Sequence, residues 1–104
     1  MGLSEPIKET LHQKNKTIIS DVPFKDILVD LRCDEVLSDQ EVVRLKKCCN
    51  NKETGFEFMN ILQTRSDEDF FDFCKILKDS QIKNVKNLGL ELEMMAKKSN
   101  QAHG

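Results

Sequence analysis

Residues 60–77 read Asn60-Ile61-Leu62-Gln63-Thr64-Arg65-Ser66-Asp67-Glu68-Asp69-Phe70-Phe71-Asp72-Phe73-Cys74-Lys75-Ile76-Leu77, a stretch that holds a helix end, a break and a helix start. Ser66 followed three residues later by Asp69 is a capping box. The serine hydroxyl accepts from the amide of the third helical residue, and that residue's carboxylate accepts from the serine amide. Behind it Phe70, Phe73, Cys74 and Leu77 recur at i, i+3, i+4 and i+7, with Phe71 alongside, which is the spacing of one buried helix face. Ahead of it Phe58, Met59, Ile61 and Leu62 give the preceding helix its apolar side. Four of the six phenylalanines fall between Phe58 and Phe73, so these two helices are expected to supply the bulk of a core.

The same grammar extends outward. Upstream, Thr54-Gly55-Phe56-Glu57 and Ser38-Asp39-Gln40-Glu41 have the box pattern and predict helix starts at Thr54 and Ser38, the second followed by Val42 and Leu45. Phe24, Ile27, Leu28 and Leu31 predict a short helix after the break at Asp21-Val22-Pro23. Before that, residues 5–20 put Ile7, Leu11, Ile18 and Ile19 on one face, turn Lys8, Lys14 and Lys16 largely outward, and hold Pro6 in the first turn, where its missing N–H does no harm. Downstream, a sixth helix from about Ile82 uses Val85, Leu88, Leu92 and Met95. Gly89 inside it costs about 1 kcal/mol against alanine unless close packing requires it. Residues 99–104 are polar and are expected to form a disordered tail, leaving 1–98 as one domain. Strand signals are weak, because Tyr and Trp are absent and apolar–polar alternation never persists. The expectation is an all-α, six-helix antiparallel bundle whose short elements are stabilised by packing.

A chain of 104 residues fits one core. Its 16 Lys and Arg against 18 Asp and Glu leave a net charge of −2, so no overall attraction draws it to phosphate backbones or anionic membranes. Neither nucleic acid nor a membrane is an expected partner. No run approaches the ~18 apolar residues of a membrane span, and the first residues lack the apolar core of a signal peptide. Gly2 is followed by Pro6 where a myristoylation signal wants Ser or Thr. A cytoplasmic protein with reduced thiols is expected, since Cys33, Cys48, Cys49 and Cys74 match no disulfide framework.

Catalytic chemistry has little support. Histidine occurs only at His12 and His103, no nucleophile stands beside a base, and the four glycines form no phosphate-cradling loop. No enzyme, cofactor or metal is expected. A zinc site from His12, Cys33, Cys48 and Cys49 would lack the usual two-to-four-residue ligand spacing, and a bridge between the neighbours Cys48 and Cys49 would be strained. A thiol- or metal-responsive regulator using Cys48 and Cys49 is therefore the alternative function, not the leading one.

The charges are unevenly distributed. From Asp26 to Glu41 the acids Asp26, Asp30, Asp34, Glu35, Asp39 and Glu41 face only Arg32, a local charge of −5. Lys8, Lys14 and Lys16 oppose Glu9 alone, and Arg44, Lys46, Lys47 and Lys52 add a second basic group. Such a run is either a solvated face or one half of a complementary docking pair.

Taken together these residues resemble a caspase recruitment domain (CARD), a branch of the death-fold superfamily. The stretch Asn60 to Leu77 is similar to the family's "LL..L..RG..AF..F...L" signature, with Ser66 in the place of its glycine. Ile27-Leu28-Val29-Asp30-Leu31, followed by Glu35-Val36-Leu37-Ser38-Asp39-Gln40-Glu41, is similar to its "LL..L....VLS..E" step. The resemblance spans about residues 5–97, and the related pyrin, death-effector and death domains share the six helices. It implies a death-fold bundle and a non-enzymatic module that binds other CARD-containing proteins, whether caspase, adaptor or sensor. Such a module acts in apoptotic or inflammatory signalling as a recruiting adaptor or a stand-alone decoy, and can self-associate. Carried over residue by residue, the acidic face would be Asp26, Asp30, Asp34, Glu35 and Asp39, and the basic face Lys8, Lys14, Lys16, Lys52 and Arg65.

Overall fold

A helix begins where some group can take up the orphan amides of its first turn, and here the side chains of Ser38, Asn50 and Ser66 do so. The computed structural model describes residues 2–101, with side chains in the last helix described as far as residue 97. Its elements are α1 (Glu5–Asp21), α2 (Phe24–Cys33), α3 (Asp39–Lys46), α4 (Asn51–Leu62), α5 (Asp67–Lys78) and α6 (Lys83–Gln101), with no strand among the described residues. The capping boxes expected at Ser38 and Ser66 are both formed, with Glu41 and Asp69 as the returning carboxylates.

The box expected at Thr54 is not formed. Asn50 caps α4 instead, its side chain accepting from the Glu53 amide at 2.8 Å, so the helix starts a turn earlier. Thr54 lies inside the helix, fully buried, with its hydroxyl donating to the Asn50 carbonyl at 2.8 Å. Asparagine is as good a cap as threonine, and the earlier start lets Thr54 and Gly55 face the core. At the other end α6 continues to Gln101, into the stretch expected to be a tail, while residues 102–104 lie outside the described residues. Met95 is only half-buried, and Ala96 takes the core position beside Leu92.

The turn between α2 and α3 has a single residue in the left-handed region, Glu35 at φ 63°. Glu35 N–H donates to the Arg32 carbonyl at 3.0 Å and Val36 N–H to the Leu31 carbonyl at 2.9 Å. These are the two bonds of a Schellman C-cap, and the accompanying apolar contact comes from Val36 and Leu31, both fully buried.

Three fully buried phenylalanines tie the bundle together. Phe58 on α4 stands 5.5 Å from Phe24 on α2 and 4.9 Å from Phe73 on α5, centroid to centroid and tilted, as aromatic pairs prefer. Around them lie Ile7, Leu11 and Ile18 of α1, Leu28 and Leu31 of α2, Leu62 of α4 and Leu77 of α5. Two glycines permit close approach. A Cβ on Gly55 would stand 2.7 Å from the Phe24 ring, and one on Gly89 would stand 2.8 Å from Leu77 Cβ and 2.9 Å from the Cys74 carbonyl oxygen. Gly89 therefore sets the spacing of α5 on α6, the most extensively packed pair of helices. The Cα radius of gyration, 12.9 Å, is close to the ~13 Å of a well-packed domain this long.

Candidate interaction surfaces

The five basic candidates separate into two groups. Lys14 is half-buried and pairs with Glu91 of α6, and Arg65, in the α4–α5 turn, bonds both carboxylate oxygens of Glu41 on α3. Both are engaged in holding helices together. Lys8, Lys16 and Lys52 are exposed and make no ion pair among the described residues. They line the furrow between α1 and α4. Its larger part, about 660 Å³, is bounded by Lys16 and Lys52 with Ile19 and Phe56 between them and Asn15, Ser20 and Asn51 around. Its continuation, about 410 Å³, contains Lys8 and His12 but also Glu5 and Glu9. Phe56 belongs to both parts, is 47% exposed, and carries the Lys52 ammonium 6.0 Å from its ring centroid, within cation–π range. The furrow thus combines an apolar floor with ammonium groups.

Its floor is fixed by Asn51. The Asn51 side-chain amide donates to the Val22 carbonyl at 2.9 Å and the Ile19 carbonyl at 3.3 Å, and its oxygen accepts from the Phe24 amide at 2.9 Å. One side chain at the start of α4 thereby satisfies the backbone of the α1–α2 turn.

Of the acidic candidates, Asp26, Asp30, Asp34 and Glu35 are exposed and make no ion pair among the described residues, whereas Asp39 pairs with Arg32. The acids do not form one α2–α3 face. Asp30 and Asp34 border a furrow of about 270 Å³ between α2 and α5, with Cys33, Lys75, Ile76 and Asp79. Nearby Asp72 has its carboxyl pushed above the usual carboxylate range by burial first, and then by the negative charges of Asp34, Asp69 and Glu68. The α3 side of α2 is apolar. Val29, 59% exposed, borders a furrow of about 380 Å³ with Val42 and Val43, edged by the Arg32–Asp39 pair and Lys46. The outer ridge of α2 is therefore a valine set between Asp26 and Asp30, with an acidic furrow on one side and an apolar one on the other.

Sequence reasoning missed Asp72, Asp79, Val29 and Phe56 as surface residues. These acids carried a signal, since Asp69, Asp72 and, at the C-cap of α5, Asp79 follow one another at spacings of three and seven. Phe56 carried none. A phenylalanine two residues past a supposed cap gives no sign of which way it faces, and it is the burial of Thr54 inside α4 that leaves Phe56 outward.

Cys48 and Cys49 lie beyond the end of α3 in different surroundings: Cys48 is buried, its thiol 3.9 Å from the Arg44 carbonyl oxygen, and Cys49 is exposed. Among the described residues no three His, Cys, Asp or Glu side chains gather closely enough to hold a metal ion, and no helix is long and apolar enough to cross a membrane. No protein-family model, curated protein or solved structure matches the chain.

Proposed function

We propose that this chain is a non-enzymatic interaction module of the death-fold type that binds CARD-containing proteins in apoptotic or inflammatory signalling, as a recruiting domain or a decoy. The observation that carries the reading is the match between two of its own surfaces. The α1–α4 furrow offers an apolar floor of Ile19 and Phe56 between Lys16 and Lys52, and the α2 ridge offers Val29 between Asp26 and Asp30. An apolar centre with a charged rim is how specific interfaces are commonly built, and the rim charges set orientation and association rate. The two surfaces lie on different elements, so contacts between like domains would be head-to-tail and open to extension.

Light scattering behind size exclusion, with the chain alone and mixed with a panel of purified CARDs at low and high salt, tests the reading. A mass shift with some CARDs, weakened by salt because exposed charges are screened over roughly 8–10 Å at ionic strengths near 0.1–0.15 M, is the expected result. Asp30→Lys and Lys52→Glu should each weaken that complex while leaving circular dichroism unchanged, since exposed substitutions cost within about 0.5 kcal/mol of stability. Monomers in every mixture at both salts, or charge reversals without effect, would sink the proposal.

A further inference from the structure

Along α6, Lys83, Lys86, Leu90, Met94 and Lys97 follow one another at spacings of three, four, four and three residues, and so share one side of the helix. All five are exposed, Leu90 by 43% and Met94 by 69%, whereas Val85, Leu88, Leu92 and Ala96 on the opposite side are buried. Ile82, just before the helix, is 52% exposed. Of the six large hydrophobic side chains exposed among the described residues, three therefore lie on or beside this helix.

The carboxylates of α6 are both engaged in ion pairs. Glu93 accepts from Lys78 of α5 at 2.7 Å and from Lys97 at 3.3 Å, and Glu91 pairs with Lys14 of α1. Asp79, in the α5–α6 turn, borders the α2–α5 furrow. What remains outward is an apolar centre with Lys83 and Lys86, which make no ion pair among the described residues, at one end and Lys97, paired with Glu93, at the other, over about 21 Å of helix.

We propose that this edge of α6 docks peripherally on an anionic lipid surface. Leu90 and Met94 would enter the boundary between headgroups and acyl chains, and Lys83 and Lys86, assisted by Lys97, would lie among the anionic headgroups. Lysine suits this position because its aliphatic stem follows apolar surface while the ammonium stays in the polar layer. The shape agrees: the stripe is a ridge, and a headgroup layer deforms around a ridge where a rigid partner would need a matching groove. Its apolar area also fits. Two or three partly exposed side chains offer far less than the roughly 800 Å² per partner of a stable protein interface, but a few inserted side chains joined to several basic ones suffice for reversible lipid adsorption. The net charge of −2 does not oppose this, because both acids of α6, Glu91 and Glu93, are ion-paired, and acids without an ion pair, among them Asp26, Asp30, Asp34 and Glu35, lie on other elements.

The test is co-sedimentation of the whole chain with vesicles of phosphatidylcholine alone and of phosphatidylcholine mixed with phosphatidylserine. Binding should appear with the anionic vesicles, fall with salt and be nearly absent with the neutral ones. Lys83→Gln and Lys86→Gln should each lower the bound fraction's partition coefficient about fivefold, and the double variant Leu90→Glu, Met94→Glu should abolish binding with circular dichroism unchanged. Failure of the wild type to prefer anionic vesicles, or retained binding by the double glutamate variant, would overturn the proposal. So would vesicles left unbound while the α6 variants change the mass of a protein complex, which would assign the stripe to a protein partner. None of the α6 residues belongs to the two surfaces of the homotypic reading, so either proposal can fail alone.

Discussion

Asn51 and Glu35 show how much of this chain's geometry rests on single residues. Asn51 gives both faces of its amide to the α1–α2 turn, and the Phe24 amide it serves belongs to a fully buried residue. Asn51→Ala leaves a buried donor and two carbonyls without that partner, and should cost about 1–3 kcal/mol in chemical denaturation. Glu35 works against its own backbone preference, since a Cβ in the left-handed region costs roughly 1–2 kcal/mol and the position is one where glycine is usual. Glu35→Gly is expected to raise the melting temperature, with a gain of about 1 kcal/mol. A fall would mean that the carboxylate itself contributes stability.

At the scale of the element, α5 and α6 form the pair whose spacing is least negotiable. Alanine at Gly89 would gain about 1 kcal/mol of helix propensity. Its Cβ, however, would sit 2.9 Å from the backbone nitrogen of Lys78 and 2.9 Å from the Cys74 carbonyl oxygen, neither of which can rotate away. Overpacking of that kind costs typically 1–3 kcal/mol, so Gly89→Ala should lower the thermal midpoint despite its better propensity. An unchanged or raised midpoint would show that α6 can slide outward freely. The same pair is fastened by Glu93, whose carboxyl lies below the usual carboxylate range because it accepts from Lys78 and then from Lys97. That fastening is complete above the unfolded carboxylate pKa and is lost as pH falls through the lower folded one.

For the molecule as a whole, the cysteines report opening. Cys74 is fully buried between α5 and the core, and burial pushes its thiol up to about 12 from an ordinary value of 9.0. In the folded state it stays neutral while the unfolded chain ionises, so stability is full below pH 9.0 and declines as pH rises from there toward about 12. In alkylation at neutral pH, Cys33 and Cys49 should react in the native protein, and Cys48 and Cys74 only at the rate of unfolding. Rapid native labelling of Cys74 would contradict the packing of α5 against α6. Replacing Cys74 with alanine should remove most of the alkaline loss while lowering stability at neutral pH through the cavity it leaves.

Periodicity and capping residues, read from the sequence alone, determined six helices, the boxes at Ser38 and Ser66, and the core positions from Ile7 to Leu92, because a 3.6-residue repeat and a hydroxyl three residues before a carboxylate are local facts. Where two caps competed, as Asn50 and Thr54 did, local chemistry did not choose between them. Burial of Thr54 and Gly55 against the α1–α2 corner decided it and turned Phe56 outward. Charge was legible as sign and density but not as availability. Lys14, Arg65 and Asp39 are drawn into ion pairs by partners on other helices or across a turn, and the acids of α2 find those of α5 only through the fold. A charge is free or paired according to what lies within a few ångströms of it in space, and that distance is set by how the helices cross.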